Sequence, residues 1–143
     1  MVKTGFLLDT NVLSELRKGA RAHPGVRNWA AQCPYSHMYV SVVSLMELKF
    51  GILSALRKDP PFGSLLQNWY ESRLKPSFAG RALPVSLPDA ERWADLQAVR
   101  TLPFRDGLIA ATALHHHLQL VTRNTPDFEG LGLNLINPWL PNT

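Results

Sequence analysis

Gly5-Phe6-Leu7-Leu8 is a continuous apolar run that breaks off at Asp9-Thr10-Asn11, and the rest of the chain repeats that pattern. Short apolar runs of this kind suit strands buried on both faces. Short polar side chains directly after a strand favour caps and turns. Val12 to Lys18 then has helical spacing, with Val12, Leu13 and Leu16 on one side and Gly19 as the stop. Pro24 suits the first turn of a second helix that runs toward Cys33. Met38 to Val43 is rich in β-branched residues and predicts a strand. Ser44 to Lys58 predicts a helix through Leu45, Leu48, Ile52 and Leu56. Pro61 opens another helical stretch, which is over by about Gly80. Ala82 to Val85 predicts a short strand, and Pro88-Asp89-Ala90-Glu91 opens a helix with acids in its first turn. Arg105-Asp106 opens the next helix, and Gln119 to Thr122 and Leu133 to Ile136 predict the last strands.

Strands that alternate with helices predict an α/β fold, a sandwich of helices around a mostly parallel central sheet. The 143 residues fit a single domain, taken as 1–143, and 45% hydrophobic residues can fill its core without a disulfide. The lone cysteine, Cys33, excludes an internal disulfide and a cysteine-based zinc site, and fits a reducing compartment. Met1 to Leu8 carries only Lys3 before a brief apolar run, too short for a secretion leader. No apolar stretch approaches the roughly 18 residues of a membrane span. The expectation is a cytoplasmic protein with no membrane partner. A net charge of +4 and a pI near 9.6 permit binding to nucleic acid without requiring it.

In a parallel sheet, ligands sit outside the carboxyl ends of the strands. Asp9 directly follows the first predicted strand, and Glu47 lies on the helix after the second. Asp127 lies just beyond the Gln119 strand, and Asp106 begins the preceding helix and would have to project toward the same edge. Carboxylates packed together repel one another, and a divalent cation removes that conflict. Mg²⁺ and Mn²⁺ take oxygen ligands and support phosphodiester hydrolysis. Each acid also has a local reading. Asp9 and Asn11 fit a helix cap, and Ser44-Leu45-Met46-Glu47 is a literal capping box. Asp106 fits the cap of its own helix, and Asp127 a turn residue.

Other motifs narrow the field. Asp9-Thr10-Asn11 lacks the glycines of a dinucleotide-binding turn. An aspartyl-phosphate phosphatase needs a second Asp where this chain has Asn11. In His115-His116-His117, consecutive helical residues point about 100° apart, so the three cannot share one ligand face. Trp29, Trp69, Tyr70 and Trp93 are expected in the core or at a dimer contact. Arg17, Lys18, Arg21, Arg105 and Arg123 could meet RNA phosphates or simply form a solvated surface. For Arg105 and Arg123 the second option is a salt bridge that organises the acids.

Four blocks in order resemble the PIN-domain nucleases. Leu7-Leu8-Asp9-Thr10-Asn11-Val12 resembles their opening strand and first acid. Ser41 to Gly51 resembles the second block, with Glu47 as its acid, and Phe104 to Ala113 the third, with Asp106. Leu120 to Phe128 resembles the fourth, and Asn137-Pro138-Trp139 the ending of the VapC/FitB-like branch of toxins from toxin–antitoxin pairs. Pro60 to Gly80 matches no recognised motif. The resemblance implies a three-layer α/β/α sandwich and an Mg²⁺- or Mn²⁺-dependent endoribonuclease acting on RNA. It also implies a homodimer and a small cognate antitoxin with an operator-DNA-binding domain. Asp9, Glu47 and Asp106 are then the catalytic and metal-binding acids. Many relatives carry an acid where this chain has Asn124, so the fourth position stays open between Asn124 and Asp127. Asn11, Arg105, Arg123 and Asn124 are candidates for contacting RNA or organising the site. The rival expectation is a catalytically weak module of the same fold that sequesters RNA or a protein partner.

Overall fold

The computed structural model describes residues 5–141. The reading of the amino terminus as lacking a leader rests partly on Met1 to Thr4, which lie outside the described residues. Five parallel strands form the sheet: β1 (Phe6–Leu8), β2 (Met38–Ser41), β3 (Ala82–Leu83), β4 (Gln119–Val121) and β5 (Leu135–Ile136). Their order across the sheet is β3-β2-β1-β4-β5, so β1 is central. Between them run α1 (Thr10–Leu16), α2 (Pro24–Gln32), α3 (Val42–Lys58), α4 (Pro60–Trp69), α5 (Lys75–Ser77), α6 (Leu87–Val99) and α7 (Phe104–His115).

Alternation along β1 and β4 creates the layers. Leu7 and Leu120 enter one core with Leu96, Ile109 and Ala113 of α6 and α7. Leu8 and Val121, one residue on, enter a second core with Val12, Ile52, Tyr70 and Leu74. Successive strand side chains point to opposite faces, so a continuous apolar run is what a sheet covered on both sides requires. Leu7, Leu8, Leu120 and Val121 are fully buried. Each contributes about 1.5–3 kcal/mol relative to exposure. The expected three-layer α/β/α sandwich is therefore observed, with all of its strand pairings parallel.

The motif-free stretch from Pro60 is one of the layers. Asp59 caps α4 by accepting from the Phe62 N–H. The helix then widens through a π-helical segment at Tyr70–Leu74 and ends in α5. Tyr70, Leu74 and Phe78 are buried against the sheet.

Several expected boundaries move: the first helix begins at Thr10, and the third and fifth strands shorten to Ala82–Leu83 and Leu135–Ile136. The second strand stops at Ser41, and Val42-Val43, taken as strand from their β-branching, form the first turn of α3. Ser41 is the cap of α3, its hydroxyl accepting from the Val43 N–H at 3.0 Å. The Ser44–Glu47 capping box does not exist: Ser44 lies inside the helix, fully buried. The capping box falls instead at Ser86 and Asp89, where α6 begins. Likewise α7 is preceded by Pro103, so Asp106 is not its cap.

Candidate active site at the strand ends

The strand order reverses between β1 and β4. After β1 the chain builds outward to β2 and β3, then returns to place β4 on the other side of β1. A crevice opens outside the carboxyl ends of strands at such a switch point. Leu8 of β1 pairs with Val121 of β4, so Asp9 and Thr122 leave the sheet side by side. The Asp9 N–H donates to the Val121 carbonyl at 2.9 Å and fixes the fork.

Asp9 is 6% exposed, and both of its carboxylate oxygens are held. Oδ1 accepts from the Thr10 N–H at 2.8 Å and caps α1. Oδ2 accepts from the Thr122 hydroxyl at 2.8 Å and from Asn11 Nδ2 at 3.4 Å. Asn11 Nδ2 also reaches Thr122 Oγ1 at 3.3 Å, and its Oδ1 accepts from the Arg123 N–H at 3.2 Å. Asn11 thus ties the exit of β1 to the exit of β4. Asp9 is the cap of α1, and that role uses Oδ1 while Oδ2 meets Thr122 and Asn11.

Glu47 arrives from α3, directly across from α1. Its Oε1 accepts from the Thr10 hydroxyl at 3.0 Å, and its Oε2 lies 3.5 Å from Arg105 Nη1. Arg105 is thus ion-paired with Glu47 from a largely exposed position. Arg123 does something else: its guanidinium sits over the Trp139 ring at 5.5 Å.

The acids feel one another. Burial pushes the Asp9 carboxyl above the ordinary range, and the Glu47 charge pushes the same way. The Thr122, Thr10 and Asn11 hydrogen bonds oppose that rise. The Asp106 carboxyl is also raised, by burial first and then by the charges of Asp9 and Asp127, with Arg105 opposing. Gly107 lets Asp106 sit where it does. A Cβ at that glycine would come within 2.8 Å of the Trp93 ring on α6, so only glycine permits this approach.

Asp127 lies on a single 3₁₀ turn, Thr125–Phe128, anchored by the buried Phe128. Arg100 clamps this turn by donating to the carbonyls of Asp127 at 2.8 Å and Glu129 at 3.0 Å. Asn124 donates its N–H to Thr122 Oγ1 at 3.0 Å, and it is Asp127 whose charge reaches Asp106. Sequence reasoning missed Thr10 and Thr122 as organisers. Both stand in the matched blocks, but their partners are set only by the strand pairing. Asp9 and Asp106 are raised by burial first and by a neighbouring carboxylate second, and Asp9, Glu47, Asp106 and Asp127 offer only oxygen donors. That chemistry fits a hard divalent cation.

The PIN domain family profile matches residues 6–130. The chain belongs to the PIN domain family. Its relatives place it in the VapC/FitB-like branch. It is 38% identical to the VapC ribonuclease Y4jK of Sinorhizobium fredii, over 95% of this chain and 99% of that protein. It is 34% identical to the toxin FitB of Neisseria gonorrhoeae, over 94% and 98%. Among solved structures, FitAB bound to an IR36 DNA fragment is similar with a TM-score of 0.85 and 29% identity, over 96% of this chain and 98% of that one. The PIN fold of this chain is therefore shared along nearly its full length with those relatives.

Proposed function

We propose that this PIN domain protein is an Mg²⁺- or Mn²⁺-dependent endoribonuclease and the toxin of a type II toxin–antitoxin pair. The observation that carries the reading is that Asp9 leaves the sheet at the switch point between β1 and β4, where the Glu47 charge bears on Asp9 and the Asp9 charge bears on Asp106. The names of its relatives, a VapC ribonuclease and a toxin, support the same activity.

Asp9 and Asp106 would hold the ion, with Glu47 and Asp127 contributing through its outer ligands. When bound, the ion supplies an activated water and offsets charge on the scissile phosphate. The chain's own residues do the rest. Thr122 and Asn11 hold the Asp9 carboxylate in place at the strand ends. Thr10 and Arg105 hold Glu47 from two sides, leaving it facing Asp9. Arg105 is mostly exposed, so it can also meet an RNA phosphate at the cleft mouth. The similar FitAB structure bound to DNA supports a small DNA-binding antitoxin as partner, and a homodimer belongs to the same reading through the family resemblance. A cytoplasmic location fits this role, and no helix among the described residues is long and apolar enough to cross a membrane.

The test is incubation of purified protein with labelled RNA and Mn²⁺, with and without EDTA, beside Asp9→Asn. The expected result is cleavage abolished by chelator and by the substitution. Cleavage indifferent to both would overturn the metal mechanism.

A further inference from the structure

The carboxyl-terminal end of α7 carries a second group of ligating side chains. Asp89 on α6 is fully buried, and its Oδ1 lies 2.7 Å from His115 Nδ1. Its Oδ2 accepts from the Ser86 N–H and hydroxyl, both at 2.9 Å, so the carboxylate is fixed. Helical spacing would fan the three histidines apart only if the helix continued through them. It does not: His115 is the last residue of α7, and His116 stands outside it at φ −94°, ψ 4°. His117 follows in the left-handed region at φ 56°. This break brings the His115 and His116 rings to 4.4 Å between centroids, tilted by 49°. One ligand atom from each of Asp89, His115 and His116 lies within 4.8 Å of the others.

We infer that Asp89, His115 and His116 form a binding site for a borderline dication of the Zn²⁺ class, separate from the acid cluster. Two imidazoles and one carboxylate suit Zn²⁺, Co²⁺, Ni²⁺ or Cu²⁺, whereas the all-oxygen strand-end cluster suits Mg²⁺ or Mn²⁺. A tetrahedral ion with ligands at about 2.0–2.2 Å holds them roughly 3.4 Å apart, so the half-exposed His115 ring swings outward from Asp89 and exchanges their hydrogen bond for the ion. The fixed member, Asp89, is the buried one. The last carbonyls of α7 add a favourable field for a cation. Asp106 and His115 lie nine residues apart on the same helix, about 14 Å along its axis, so the sites do not share ligands. Asp89 opens α6 and His115 closes α7, and the two helices pack as a hairpin. An ion there staples the open end of that hairpin.

The probe is Co²⁺, followed by its visible absorption, in chelator-stripped protein, with Zn²⁺ competition. Variants are Asp9→Asn/Asp106→Asn, which disables the acid cluster, and His116→Gln, which leaves the Asp89–His115 hydrogen bond in place. The expected result is one equivalent of Co²⁺ bound by the double variant and displaced by Zn²⁺, with the same absorption band present in wild type. His116→Gln should weaken binding by at least about tenfold, and Asp89→Asn on the order of 10–100-fold. At a hundredfold excess over the Kd, Zn²⁺ should raise Tm by roughly 5–10 °C in wild type, and by much less in His116→Gln. Equal affinity in wild type and a folded His116→Gln overturns the site. So does binding that vanishes in the double variant, or no binding at all.

Discussion

The Thr122 hydroxyl donates to Asp9 Oδ2 at 2.8 Å and joins two residues 113 positions apart. Parallel pairing of β1 and β4 makes this contact possible, because both strands end at the same edge. The hydroxyl counters the rise that burial imposes on Asp9. Thr122→Val removes it with little change in shape. The Asp9 carboxyl then rises further, so its ionised form appears only at higher pH. The acid limb of the pH–activity profile should move to higher pH, at a stability cost of about 1–2 kcal/mol. An acid limb unchanged from wild type would show that this hydrogen bond does not tune Asp9.

Asp106 gives the opposite relation between activity and stability. Its folded carboxyl lies above its ordinary value, through burial and the charges of Asp9 and Asp127. The stability it contributes is therefore present at low pH and lost as pH rises through the folded value. At neutral pH, in the absence of divalent ions, the ionised Asp106 opposes folding. Asp106→Asn should abolish nuclease activity yet stabilise the metal-free protein at pH 7 by about 0.5–2 kcal/mol. The difference should shrink toward pH 4. Thermal melts of both proteins across that range, with EDTA, measure it.

Asn124 and Asp127 separate at the fourth position. Asp127 adds charge at Asp106, while the Asn124 N–H supports Thr122. Asp127→Asn removes a repulsion, so the Asp106 carboxyl should fall toward its ordinary value while Mn²⁺ affinity drops. Asn124→Ala should leave both close to wild type. Calorimetric titration with Mn²⁺ and the NMR titration of the Asp106 carboxyl carbon distinguish them. If Asn124→Ala weakens Mn²⁺ binding more than Asp127→Asn, the order is reversed.

The sequence was most legible where one physical cue acted alone. Leu7-Leu8 and Leu120-Val121 read as strands because both faces of the sheet are covered. The acids were visible because each sits next to a strand end or a helix start in a recognisable block. What escaped depended on partners remote in sequence. Nothing local says that Thr122 faces Asp9, or that Asp89 meets His115 across 26 positions. The histidine triplet lies at a partly exposed helix end, as its place in the sequence suggests, but spacing alone does not show that α7 stops at His115, because helix ends are set by packing as much as by spacing.

The start of α3 turns the same lesson into an experiment. Ser44 precedes Glu47 by three residues and looks like a cap, yet Ser41 holds that position. Its hydroxyl accepts from the Val43 N–H, satisfying one of the donors left open at a helix start. Ser41→Ala should cost about 1 kcal/mol. Ser44 is different, because its buried hydroxyl has no hydrogen-bond partner among the described residues. A buried polar group without a partner carries a desolvation cost that alanine does not. Ser44→Ala should therefore be neutral or stabilising, and Glu47, held by Thr10 and Arg105, should keep its place. Urea denaturation of the two variants decides the matter. If Ser44→Ala costs more than Ser41→Ala, α3 starts where the sequence pattern suggested.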